Sequence, residues 1–165
     1  MGPQATPREA ARVLILDPSD RLLLLRGHDP AMPERSWWFT PGGGLDGGET
    51  VREAAAREAR EETGYVLDPD ALIGPVWERT AVFDFMERPY VQHEHFFVAR
   101  VDDASPREEA VWTDVERDTL EAVAWLSAEE IVASPVEVFP SVLGSALATV
   151  LPWDGELRHL GTENL

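Results

Sequence analysis

No cysteine occurs in this 165-residue chain, and no lysine. Without thiols there is no disulfide, no thiolate nucleophile and no cysteine-based zinc site, so any metal must sit on oxygen or imidazole. All 14 basic side chains are arginine. Arginine suits bidentate phosphate contacts, although a composition rich in Ala, Arg, Gly and Pro accounts for it equally well. The chain also lacks a run of eighteen apolar residues and a basic-then-apolar amino terminus, which points to a cytoplasmic protein with no membrane partner. Met1 to Thr6 formally fit a myristoylation pattern, but no basic second anchor accompanies them. A basic surface is missing too. With 31 acidic residues the formal net charge is -17, which opposes a nucleic-acid partner. The same acidity opposes a phosphorylated substrate unless bound divalent cations reverse the local field.

What is present suffices for one domain. At 44% hydrophobic residues, a chain of this length buries a core without staples. We read a single domain over 1–165 with its core at about 8–152 and flexible tails, and leave a homodimer open. Residues 12–16 and 21–25 are two apolar strands around the turn Asp17-Pro18-Ser19-Asp20. Trp37 to Thr40 form a short strand ending at Pro41-Gly42-Gly43-Gly44. Val51 to Thr63 is the strongest helix, rich in Ala, Glu and Arg, with Thr50 as cap and Gly64 as left-handed stop. Antiparallel strands fill 73–101 around a turn at Glu87-Arg88-Pro89. Residues 102–118 read as a mobile loop, 120–125 as a strand, 127–133 and 141–151 as helices, and Gly155 onward as a frayed tail. The fold class is α+β, with a mixed sheet.

On the helix, Glu58, Glu61 and Glu62 are spaced i, i+3 and i, i+4, so they share one face. They border the apolar stripe of Val51, Ala55 and Ala59, whereas Arg52, Glu53, Arg57 and Arg60 fall opposite, with Glu53 and Arg57 as an i, i+4 pair. Clustered acids beside a core repel one another. A hard cation such as Mg2+, with Mn2+ as a substitute, removes that cost because it prefers carboxylate oxygen and keeps waters that a phosphate can replace. His93 and His95 alternate onto one strand face, a spacing that can bind a transition metal but is commoner as plain solvated polarity. Gln92 and Glu94 point the other way, where Glu94 can meet substrate. Trp37, Trp38 and Phe39 offer aromatic faces to a nucleobase, or simply to the core.

From Gly43 to Tyr65 the chain resembles the Nudix box, G-x5-E-x7-R-E-U-x-E-E-x-G-U with U apolar. The matching residues are Gly43, Glu49, Arg57-Glu58, Ala59, Glu61-Glu62, Gly64 and Tyr65. Trp125-Leu126-Ser127 followed by Glu129-Glu130-Ile131 resembles a later joint of the same family. The resemblance implies a Nudix fold, with the mixed sheet sandwiched between α-helices, and a hydrolase that cleaves a diphosphate linkage by metal-activated water. It implies that Glu58, Glu61 and Glu62 hold the cations with a carbonyl near Gly42 or Gly43, while Glu49 and Arg57 brace the loop. Gly43 and Gly64 complete that support. Glu61 or Glu58 is the first candidate for general base, and Glu116, Glu108 or Glu109 are alternatives from a late loop.

The implied partner is a small phosphorylated molecule. A nucleoside triphosphate, a dinucleoside polyphosphate and a nucleotide sugar all remain open. Two rivals share the fold. A diphosphate isomerase needs an active-site cysteine that this chain lacks, and a noncatalytic nucleotide-sensing module usually carries a degenerate box.

Overall fold

The apolar runs around Asp17 form strands β1 (Thr6–Leu16) and β2 (Leu22–Asp29) in a computed structural model that describes residues 5–102 and 110–165. Glu108, Glu109 and most of the myristoylation-like start lie outside the described residues. Asp17 closes the turn by accepting from the backbone N–H groups of Ser19 and Arg21 and from the Arg21 side chain. Strands β3 (Met32–Phe39) and β4 (Gly42–Gly44) follow, then helix α1 (Val51–Thr63), a 3-10 turn at Pro69–Ala71, and the long pair β5 (Ile73–Phe85) and β6 (Arg88–Arg100). The chain continues through α2 (Asp114–Thr119), β7 (Leu120–Leu126), α3 (Ala128–Val132), β8 (Glu137–Phe139), α4 (Leu143–Ala146) and β9 (Arg158–Asn164).

The sheet runs β8-β3-β2-β1-β6-β5-β9, with β4 added to β1 and β7 to β2. It is mixed, because β1 with β6, β3 with β8 and β5 with β9 are parallel. β1 and β2 pair only at Leu16 and Leu22, after which β2 takes β3 and β7 while β1 takes β4 and β6. That divergence opens the sheet, and the main cavity lies there.

Period-two alternation sends the two faces of β1 into separate cores. Leu14 and Leu16 join Trp77, Phe96, Ile131 and Leu143 on the face covered by α3 and α4. Val13 and Ile15 join Phe97, Ala54, Ala55 and Ala59 on the face covered by α1. The sheet is therefore sandwiched between helices, as expected. Small alanines let α1 lie close to the strands, and a larger residue there costs about 1–3 kcal/mol by overpacking. Helix α1 is capped as its sequence predicts: Thr50 and Glu53 form a reciprocal capping box, and Gly64 at φ 82° stops it.

Several expectations give way. The segment after Gly155 is an ordered strand, β9, because β5 offers it an edge that local sequence does not reveal. Residues 141–151 contain only the short α4 and a 3-10 turn. The loop expected over 102–118 ends in a capped helix, α2. Glu53 spends its carboxylate on the Thr50 N–H, so its pair with Arg57 does not form. Arg52 is not on a solvated side either, since it donates to the carbonyls of Pro69, Leu72 and Gly74.

Candidate functional site

Glu58 and Glu62, one turn apart on α1, meet Glu116 from α2 so that their carboxylate oxygens lie within 4.8 Å of one another. Each comes from a segment with a local reason for its position. The backbone N–H of Gly42 donates to Glu62 Oε1 at 2.8 Å. Gly42 holds φ 150°, and a Cβ there would lie 2.1 Å from the Ala11 carbonyl oxygen, so only glycine passes. At Gly43 a Cβ would lie 2.7 Å from Glu58 Oε1. The loop and the helix thus approach closely because the loop has no side chains. Glu116 is the third residue of α2, and its Oε1 accepts from the Thr113 N–H in a second capping box. The segment leading to α2 is tied to the end of α1 by Val111 N–H to the Glu61 carbonyl (2.7 Å) and Trp112 Nε1–H to the Glu62 carbonyl (3.0 Å).

Arg57 is the hub behind this group. It donates to both oxygens of Glu49 (2.7 and 3.0 Å), to the Gly44 carbonyl, to Glu58 Oε1 at 3.1 Å and to Glu61 Oε2 at 3.3 Å. Glu49 falls below the usual carboxylate range, chiefly through its hydrogen bond from Arg57. Burial pushes the Glu58 carboxyl up, with Arg57 opposing and Glu116 and Glu61 adding to the rise. Glu62, only 3% exposed, is pushed well above the ordinary range by burial first and by Glu58 second. Two carboxylates that burial makes costly to charge, with a third carboxylate beside them, suit a divalent hard cation. Among the described residues this is the one such close carboxylate or imidazole group.

The carboxylates open into a cavity of about 550 Å³ between the diverging strands. Trp37, Phe39, Phe83, Tyr90 and Phe139 supply aromatic walls, and Arg8, Arg12 and Arg35 supply charge. Phe83 stacks on Tyr90 at 5.5 Å, Trp37 meets Phe139 edge-on at 6.3 Å, and Arg8 lies over Tyr90. The floor is a buried polar ladder. Glu94 Oε2 accepts from Arg12 (2.8 Å) and Gln92 (2.7 Å), its Oε1 accepts from Arg79, and Arg79 also donates to Glu163. Burial works against the Glu94 charge, but Arg12 and Arg79 outweigh it and its carboxyl lies below the usual range.

The structure separates some expected site residues. Glu61 is not in the converging group; it is more exposed and faces Arg57. Gly42 meets Glu62 through its N–H. Trp37 lines the cavity, whereas Trp38, one residue on and therefore on the opposite face, packs against the core beside Leu14 and Leu24. Glu94 does face the cavity, but with both oxygens engaged. Sequence reading passed over Arg8 and Arg12, although two arginines spaced four apart share one face of a strand that is apolar from Val13 onward. Phe83, Tyr90 and Phe139 carried no local signal.

A NUDIX domain family model matches residues 6–143. The chain is 45% identical over 56 residues to the uncharacterized Nudix hydrolase YvcI of Bacillus subtilis (strain 168), covering 33% of this chain and 32% of that one. To the human 8-oxo-dGDP phosphatase NUDT18 it is 35% identical over 81 residues, 46% of this chain and 24% of the relative. To the RNA pyrophosphohydrolase of Erythrobacter litoralis (strain HTCC2594) it is 31% identical over 131 residues, 64% and 75% of the two chains. The matches to YvcI and NUDT18 thus span a third or less of those relatives. Solved structures share the fold: the MutT protein of Bacillus halodurans superposes with TM-score 0.61 at 20% identity, covering 95% of this chain and 89% of that one. The MutT NUDIX hydrolase of Burkholderia pseudomallei gives 0.61 at 23%, covering 88% and 98%. With the box on α1, a mixed sheet between helices and a family model matched over most of its length, the chain belongs to the Nudix hydrolase family.

Proposed function

We propose that this protein is a magnesium-dependent hydrolase of a nucleoside di- or triphosphate, with Mn2+ as a substitute ion. The observation that carries the reading is the opening of the Glu58, Glu62 and Glu116 group directly into an aromatic cavity edged by arginines. A flat base has Trp37, Phe39, Phe83 and Tyr90 to stack on, and phosphates have Arg8 within reach of the acidic group. At about 550 Å³ the space suits a mononucleotide. A chain of net charge -17 has little to offer an RNA backbone. The relatives named for oxidised guanine nucleotides make those compounds the first to try.

Glu62 and Glu116 would hold the cation, with Glu58 beside them. When bound, the ion neutralises charge on the diphosphate and lowers the pKa of water for attack at phosphorus. Glu58 takes the proton as the water oxygen bonds to phosphorus. The bridging P–O bond breaks, and the leaving phosphate departs with its electron pair. Glu61, at the rim with Arg57, would offer its carboxylate to a further ion from outside the group. Glu49 and Arg57 keep the glycine loop on the helix.

The test is phosphate or pyrophosphate release from a nucleotide panel, including 8-oxo-guanine nucleotides, with magnesium and with EDTA. Magnesium-dependent turnover of at least one mononucleotide is expected. Turnover unaffected by thorough chelation, or none on any diphosphate compound, would end the proposal.

A further inference from the structure

The chain has four histidines, and three of them, His93, His95 and His159, line one cleft of about 430 Å³ on the face of β5, β6 and β9 that points away from the main cavity. Register puts them in a row. Glu78 on β5 is the Cα partner of His95 on β6 and of His159 on β9, so a carboxylate stands between two imidazoles. Glu9, on β1, closes the near end with its Oε2 2.7 Å from His95 Nε2. These side chains take no part in the chemistry proposed above.

The distances are informative. His95 Nδ1 lies 3.6 Å from Glu78 Oε1, and His159 Nδ1 lies 3.3 Å from Glu78 Oε2. These are long for charge-assisted hydrogen bonds. The His159 distance matches the roughly 3.3 Å edge between neighbouring ligand atoms around a tetrahedral ion with bonds of about 2.0–2.1 Å, and the His95 distance is somewhat longer. Two imidazoles and the Glu78 carboxylate make a two-histidine, one-acid donor set, which leaves a tetrahedral ion one position for water. Imidazole selects zinc, cobalt and nickel over magnesium, so the donor set differs in kind from the all-carboxylate group on α1.

We propose that His95, through Nδ1, with Glu78 and His159 form a second cation site that takes a zinc-class transition metal, while Glu9 holds the other His95 nitrogen from outside the site. As the side chains stand, the imidazoles do not yet share one coordination sphere. His159 is 72% exposed and turns over Glu78 to close it. Occupancy ties the last strand, β9, to β5 and β6. On the opposite face of the sheet, Glu163 of β9 holds Arg79 and through it Glu94, so the ion steadies the floor of the main cavity from behind.

The experiment uses Zn2+ titrated into the full chain carrying Glu58→Gln and Glu62→Gln, in excess magnesium, followed by the ring resonances of all four histidines and by thermal melts. One equivalent of Zn2+ should shift His95 and His159, leave His28 in place and raise the melting temperature. Adding His159→Ala, at an exposed position that does not threaten folding, should weaken binding at least about tenfold and abolish the rise. Histidine resonances that ignore Zn2+, or an affinity unchanged by both His159→Ala and His95→Ala, would overturn the site. Neither result bears on nucleotide hydrolysis, which is measured separately.

Discussion

Trp112 donates its indole N–H to the main-chain carbonyl of Glu62, so the residue that carries one site carboxylate also anchors the segment that brings another, Glu116. The carbonyl belongs to the last turn of α1, where backbone acceptors lack helical partners. A tryptophan from the loop before α2 satisfies one of them. The separation of Glu116 from α1 is set by that bond and by Val111 beside it.

Trp112→Phe keeps the ring and removes the donor. Stability should fall by only about 0.5–1.5 kcal/mol, the worth of an ordinary hydrogen bond. Turnover should fall about tenfold or more, because a loosened Glu116 no longer completes the group. Melting curves and magnesium-dependence curves on the same preparation check both halves. A stability loss without any change in magnesium dependence would show that α2 is positioned by other contacts.

Single carboxamide substitutions should rank the box acids. Glu58→Gln, Glu62→Gln and Glu116→Gln each lower kcat at least about a hundredfold, as expected for loss of a positioned catalytic group. Glu61→Gln, outside the converging group, lowers it about tenfold or less. Initial rates at saturating magnesium decide the order. Equal losses for Glu61 and Glu62 would mean that the ion draws Glu61 inward.

Metal-free protein should become more stable on mild acidification from neutrality. Burial, with Glu58 beside it, raises the folded-state pKa of Glu62 well above the ordinary 4.5. The folded state therefore binds a proton more tightly than the unfolded one, and the associated stability is lost as pH rises through the folded pKa. Glu94 and Glu49 have folded values below 4.5, so their contributions persist above that pH and are lost only under stronger acid. Thermal melts in EDTA between about pH 7.5 and 5.5 measure the slope. Glu62→Gln should flatten it relative to the parent chain, which separates this effect from general relief of the net negative charge. An unchanged slope in that variant would refute the assignment.

Glu94→Gln should be costly for a different reason. Its carboxylate is the shared acceptor of Arg12 and Arg79 beneath the cavity, and its loss leaves two buried guanidinium groups short of a partner. A destabilisation of about 3–5 kcal/mol is expected, read from denaturant unfolding. Trp37→Ala should instead raise KM for a nucleotide with little effect on the melting temperature, since one face of that ring lines the cavity. Loss of fold in the Trp37 variant would place the ring in the core.

Local sequence determined α1 and its chemistry. Helix-forming residues, a Thr50–Glu53 cap and a glycine stop act within a few residues of one another, so they specify the helix without help from the rest of the fold. The i, i+4 spacing of Glu58 and Glu62 is likewise a property of the helix itself. Which acid joins them was decided by tertiary structure. Glu116 arrives because α2 is hung from the end of α1, and no sequence spacing encodes a bond between residues 50 apart in the chain. The inward turn of Trp37, the packing of Trp38 against the core, the salt-bridged floor around Glu94 and the docking of β9 on β5 are of the same kind. Each depends on which strand becomes a neighbour and in what register. A one-residue change of register exchanges the two faces of a strand, so only the assembled sheet separates cavity from core.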